Sequence, residues 1–179
     1  MQQSKPVFGQ STALYENHAA AVLNYLLGKL GSREDAEDIL LEVFTVVLEK
    51  ESTLLQDERA LRAWILMIAR NKVVDYYRRA GRLSRVPLAD IEERVYASEE
   101  REPEQVFLRQ ETYTQLQKHL RKLSRSQQEV LQLRFGEGLR CAEIAQVLGK
   151  SEKAARALLF RTLQKLRGIY ANERAERGL

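Results

Sequence analysis

A chain of 179 residues, 44% hydrophobic and 30% charged, has apolar side chain enough for packed cores, which excludes global disorder. A single cysteine, Cys141, excludes an intrachain disulfide, and no apolar run approaches the roughly 18 residues of a membrane span. The net charge of +4 is uneven, with 12 basic and 12 acidic residues over 1–90, 3 and 6 over 91–110, and 14 and 7 over 111–179, so the C-terminal part carries the positive field that phosphates require.

The opening MQQSKPVFGQ lacks the charged-then-apolar order of a signal peptide, so a cytoplasmic protein without membrane insertion is expected. Residues 12–30 follow as a helix with Leu14, Val22, Leu23, Leu26, Leu27 and Leu30 mostly on one side, closed by Gly31. Ser32 is placed to cap the next helix, with Asp35 three residues on in a capping-box arrangement. That helix runs to about Lys50 on an inner face of Ile39, Leu40, Val43, Phe44 and Val47. Its first turns carry Glu34, Asp35, Glu37, Asp38 and then Glu42, and the positive end of a helix dipole accounts for three of these carboxylates.

Residues 51–57 read as a loop, and Asp57 caps a third helix over 58–80 with core residues Leu61, Trp64, Ile65, Ile68, Ala69 and Val73. Its second half turns basic and aromatic: Arg70, Asn71, Lys72, Asp75, Tyr76, Tyr77, Arg78 and Arg79, continued by Arg82 and Arg85. Guanidinium groups hold phosphates and tyrosine faces stack on bases, the pairing found in single-strand recognition. A solvated helix end, its cations suiting the C-terminal dipole, is the plainer account of the same residues.

Residues 82–102 lose periodicity and gain Pro87, Ser98 and glutamates, the composition of a mobile acidic linker. Pro103 opens another helix, carrying Val106, Phe107, Tyr113, Leu116 and Leu120 to about Lys122. Ser124 with Gln127 forms a second capping box, ahead of a short helix with Val130, Leu131, Leu133 and Phe135. Gly136 and Gly138 bracket the next turn. Residues 141–148 then form a short helix with Ile144, Ala145 and Leu148 at helical spacing, Gly149 ends it, and Ser151 caps its successor. In that last helix Ala155, Leu159, Leu163 and Leu166 make an apolar face. Lys153, Arg156, Phe160, Arg161, Gln164 and Arg167 lie opposite, and residues 171–179 fray. Two helices at a sharp angle, the second cationic outside, describe a helix-turn-helix, with a plain helical hairpin as the alternative.

Few residues here could catalyse a reaction. His18 and His119 stand alone on helices and read as packed or partly exposed residues, and there is no glycine-rich phosphate loop, cysteine pair or nucleophile elbow. Asp35, Asp38 and Glu42 share a helical face, but a di-metal bundle also wants a Glu-x-x-His helix, which this sequence lacks. Cys141 reads as a structural thiol. No catalytic residue, metal or cofactor is expected.

Three blocks in order give the pattern a family. DAEDILLEVF (35–44), RAWILMIARNKVVDYYRR (62–79) and LSRSQQEVLQLRFGEGLRCAEIAQVLGKSEKAARALLFRTLQKLR (123–167) together resemble a sigma factor of bacterial RNA polymerase, of the compact extracytoplasmic-function group. The resemblance implies an all-α fold of two small domains, 10–82 and 103–172, joined by a flexible linker at 83–102. It implies that the first block grips the clamp helices of the largest subunit of core RNA polymerase, through Asp35, Asp38 and Glu42. The second would read and open the minus-ten element through Arg70, Asn71, Lys72, Tyr76, Arg78 and Arg79, with Asn71 on a flipped base. The third would read the duplex minus-thirty-five element through Lys153, Arg156, Ala157, Phe160 and Arg161, arginine suiting guanine and an apolar side chain a thymine methyl. Melted and duplex promoter DNA are thus both partners, and an anti-sigma factor is a further expected one.

Three positions depart from the family pattern: Leu41 where glutamine is common, Arg140 in place of a serine cap, and Leu158 in place of a frequent arginine. The first alters one polymerase contact, the second loosens a helix start, and the third removes a phosphate contact. The rival reading is a conventional helix-turn-helix regulator with an N-terminal sensor or dimerisation module, which leaves the acidic and the basic-aromatic blocks without a joint purpose.

Overall fold

The computed structural model describes residues 7–50, 57–79 and 115–176. The described elements are helices: α1 (Val7–Leu27), α2 (Arg33–Glu49), α3 (Glu58–Arg79), α4 (described over 115–121), α5 (Arg125–Leu131) with a π-helical turn (Gln132–Gly136), α6 (Cys141–Leu148) and α7 (Glu152–Glu176). They build two compact units, one on α1–α3 and one that holds α4, α5, the first five residues of α6 and α7. The loop at 51–56, the linker at 83–102 and the helix expected from Pro103 through Tyr113 lie outside the described residues.

In the first unit α1, α2 and α3 pack pairwise. The first helix begins and closes earlier than its leucines imply. Lys29 and Leu30 both turn their amides onto the Leu26 carbonyl at 2.9 Å, which drops Leu30 into the core three residues after the helix has ended and before Gly31 is reached. Ser32 then caps α2, its hydroxyl accepting the Asp35 amide at 3.3 Å. Ile39, Leu40, Val43, Phe44 and Val47 are buried as the periodicity requires, joined by Ala36. Asp57 accepts the Arg59 amide at 2.9 Å and so starts α3. Leu61, Ile65, Ile68, Ala69 and Val73 face inward with Ala63 and Leu66, while Trp64 is half-buried. Burial of each large aliphatic here contributes about 1.5–3 kcal/mol before the entropy of ordering is set against it. A contact at the edge completes the unit: the Tyr15 ring meets Phe44 edge-on, centroids 4.8 Å apart.

In the second unit α5 begins with a complete capping box. Ser124 accepts the Gln127 amide at 3.4 Å, and the Gln127 side chain accepts the Ser124 amide at 3.0 Å. Val130, Leu131 and Leu133 are buried, but the wider π-helical turn carries Phe135 outward to 67% exposure. Gly138, at φ +68°, reverses the chain toward α6. In α4 His119 is buried, as a packed residue, while Leu116 is exposed; one expectation fails in α7, which does not fray at 171 but continues to Glu176. The carboxylate of Glu173 meets His119 Nε2 and the Tyr170 ring lies 4.3 Å from the imidazole, contacts that hold the end of α7 against α4.

Candidate nucleic-acid interfaces

The turn between α6 and α7 is built by three residue choices. Gly149 takes φ +61°, and the Lys150 amide reaches back to the Ala145 carbonyl at 2.9 Å, closing α6. Ser151 accepts the Ala154 amide at 3.2 Å and opens α7. The start of α6 needs no serine: Arg140 supplies only its backbone, whose amide donates to the Glu143 carboxylate at 2.6 Å, and the Ile144 amide reaches the Arg140 carbonyl at 2.9 Å. The loosened start expected from Arg140 is thus corrected by a carboxylate at the third helical position.

On α7, Ala155 is fully buried and Leu159 and Leu166 are half-buried, whereas Leu163 is 41% exposed and leaves the expected apolar face. Thr162 takes the inner position instead, at 0% exposure, because its hydroxyl donates to the Leu158 carbonyl at 2.8 Å and needs no solvent. Leu158 is half-buried, so it serves packing where an arginine would have reached outward. Lys153, Arg156, Ala157, Phe160 and Arg161 are all exposed, and helical spacing puts them on one outer surface. Phe160 is 62% exposed there, an apolar group flanked by cations. Arg156 is braced by Glu152 at 2.6 Å.

The first unit carries the other two predicted sets, and they meet. Asp35, Asp38, Ile39 and Glu42 of α2 form an open groove with Tyr76 and Arg79 of α3. The Tyr76 hydroxyl donates to Asp35 Oδ2 at 2.8 Å, so Asp35 serves α3 as well as its own helix start. Lys72 Nζ lies 2.9 Å from Glu42 Oε2, with 30% and 42% of the two side chains exposed. The six residues expected to read the minus-ten element therefore do not share one face. Lys72, Tyr76 and Arg79 follow one side of α3 beside α2. Asn71 and Arg78, seven residues apart and both exposed, follow another, with Arg78 bonded to Asp75 at 3.0 Å. Arg70 is half-buried.

Both histidines are buried, each 2% exposed. His18 Nε2 is 3.7 Å from Glu58, and burial pushes its pKa below the usual imidazole value despite that carboxylate, with Arg62 adding to the depression. Cys141 is a half-buried free thiol. Among the described residues no group of His, Cys, Asp or Glu is arranged to hold a metal, and no described helix is long and apolar enough to cross a membrane. Phe135 was not singled out as a surface group by the sequence, since its helical spacing matches that of its buried neighbours.

The chain is similar to known proteins. Residues 14–83 match the family model described as Sigma-70 region 2, and residues 119–168 match that described as Sigma-70, region 4. The chain is 33% identical over 154 residues to the ECF RNA polymerase sigma factor BldN of Streptomyces coelicolor, covering 86% of this chain and 57% of that protein's length. It is 30% identical to the ECF RNA polymerase sigma factor SigD of Mycobacterium tuberculosis, covering 82% of this chain and 70% of SigD. Two solved structures share the fold. CnrH, in complex with the cytosolic domain of CnrY, has a TM-score of 0.57 at 22% identity, covering 90% of this chain and 88% of that one. The sigma factor RpoE, in complex with the anti-sigma factor NepR from Bartonella quintana, has a TM-score of 0.63 at 19% identity, covering 92% and 96%.

Proposed function

The chain belongs to the extracytoplasmic-function sigma factors of bacterial RNA polymerase, and from that premise we propose that it binds core RNA polymerase and directs promoter-specific initiation. The observation that carries the reading is the division of labour between two helices. α7 exposes Lys153, Arg161 and the apolar ring of Phe160 together, suited to a duplex major groove, while α3 exposes Asn71 and Arg78 on one side, an amide suited to a base edge and a guanidinium suited to a phosphate.

In this mechanism Asp35, Asp38 and Glu42 dock basic groups on the clamp helices of the largest polymerase subunit. Lys153, Arg156, Ala157, Phe160 and Arg161 hold the upstream element as duplex. Arg70, Asn71, Lys72, Tyr76, Arg78 and Arg79 receive the minus-ten strand as it opens, at an unstacking cost of a few kcal/mol per extruded base. The N-terminal domain spans 10–82 and the C-terminal one 103–172, and the linker between them lets the two readers reach separate elements. The protein has no enzymatic activity of its own, since the polymerase supplies the chemistry, and it works in the cytoplasm. NepR bound to RpoE supports an anti-sigma partner for this chain as well.

The test is transcription by purified core polymerase with the full chain on fragments of the host genome. Initiation at defined start sites that core polymerase alone does not use is the expected result. Tight duplex binding with no polymerase association would instead make the protein a conventional helix-turn-helix regulator.

A further inference from the structure

We infer that Glu152 is a positioning residue for upstream-element specificity: its carboxylate holds the Arg156 guanidinium ready for a base edge and, in doing so, lowers the general affinity of α7 for DNA. The inference rests on the reading of the outer face of α7 given under the proposed function. Its basis is one side-chain bond, Arg156 Nη2 to Glu152 Oε1 at 2.6 Å, between side chains 72% and 49% exposed. Glu152 is the only carboxylate between Lys150 and Arg167, a stretch that also holds Lys153, Arg161 and Lys165.

A negative charge beside phosphates is unfavourable, since it offsets one of the cations that release counterions from the duplex. In the free protein Glu152 has a plain role, because the first residue of α7 meets the positive end of the helix dipole. Its bond to Arg156 adds a second one. An exposed arginine left to itself reaches the nearest phosphate, a contact blind to sequence. Paired with Glu152, the guanidinium is neutralised against phosphates and fixed in plane, while donors on Nε and Nη1 remain for a guanine edge. Ordering this long side chain before DNA arrives removes its entropy loss from the binding step. Once the duplex displaces water, the pair also strengthens in the lower dielectric. The expected gain is about two- to tenfold in discrimination at one base pair.

The deciding measurement is competition binding of holoenzyme to single-base variants of an upstream element found by the transcription experiment. The full chain carries Glu152→Ala, Arg156→Ala or both, and helicity by circular dichroism confirms that each variant folds. Glu152→Ala should bind every duplex more tightly and steepen the slope of log affinity against log salt. At one base pair it should lose about two- to tenfold in discrimination. Arg156→Ala should lose discrimination at that same pair, and adding Glu152→Ala to it should change discrimination no further. A helix-start role alone would shift affinity for all sequences alike and would persist without Arg156. Unchanged discrimination in Glu152→Ala, with Arg156→Ala impaired at one pair, overturns the positioning role and leaves α7 as the upstream reader. So does an equal loss from Glu152→Ala in the Arg156→Ala background, which would make Glu152 a base reader in its own right, or full discrimination by Arg156→Ala. If neither Arg156→Ala nor Arg161→Ala alters binding to the upstream element, the reading of α7 itself fails, and the positioning role fails with it.

Discussion

The Tyr77 hydroxyl donates to the main-chain carbonyl of Lys29 at 2.7 Å, tying α3 to the turn that follows α1. Lys29 lies beyond the last residue of α1, where carbonyls have no further helical amide to receive. The ring of Tyr77 stands nearly perpendicular to that of Tyr76, centroids 5.2 Å apart. A side chain from the basic-aromatic stretch thus holds two helices in place rather than stacking on a base. Tyr77→Phe keeps the ring and deletes the donor, so it should lower unfolding free energy by about 0.5–1.5 kcal/mol, read as a lower urea midpoint at unchanged slope. Start-site choice in transcription should stay as it was.

His18 makes stability depend on pH in a stated direction. Burial holds the folded imidazole below its unfolded pKa of 6.5, with Glu58 opposing and Arg62 assisting. The unfolded chain therefore takes up the proton first as pH falls. The His18 contribution is complete above the unfolded value and is lost as pH drops through the folded one. Urea midpoints measured from about pH 7.5 down to about pH 5 should fall more steeply for the parent chain than for His18→Gln. Parallel pH profiles would remove His18 as the source.

Local chemistry was legible where a single turn of chain decides it. Ser32, Asp57, Ser124 and Ser151 each accept the amide that their position requires, and Gly149 is left-handed where a helix must stop. The misses share a different cause, because in each something other than apolar periodicity decides which side chain is buried. Leu30 reaches the core from a turn instead of from the helix. Phe135 is turned outward by a π-helical step that its apolar spacing does not encode. Thr162 replaces Leu163 inside because its hydroxyl finds the Leu158 carbonyl. The candidate sites divide in the same way. The outer face of α7 follows from periodicity alone, whereas Tyr76 with Asp35 and Lys72 with Glu42 pair across 41 and 30 residues, beyond the reach of any local pattern.

Arg140 offers a position where stability can be raised. It stands at the cap of α6 with an exposed side chain, and Glu143 already closes half of a capping box on its amide. Arg140→Ser adds the missing hydroxyl, which can accept the Glu143 amide and satisfy a second helix-start donor. The variant should gain about 1 kcal/mol, within the 0.5–2 kcal/mol range of such caps, and show a higher urea midpoint. Glu143→Ala should move the midpoint the other way.

Arg161 and Lys153 lie on the same outer surface of α7, yet substitution should separate their roles. A guanidinium can bond one guanine through two atoms, whereas an ammonium near the start of the helix is suited to the phosphate backbone. Arg161→Ala should weaken recognition of the upstream element by about 1–3 kcal/mol and relax the preference at one base pair. Lys153→Ala should weaken all duplex sequences alike and reduce the slope of log affinity against log salt by roughly 1. Competition binding of holoenzyme to a panel of single-base promoter variants at two salt concentrations separates the two effects. If Arg161→Ala changes the salt slope and leaves base preference intact, Arg161 is a phosphate ligand, and base reading passes to Arg156, Ala157 and Phe160 on the same face.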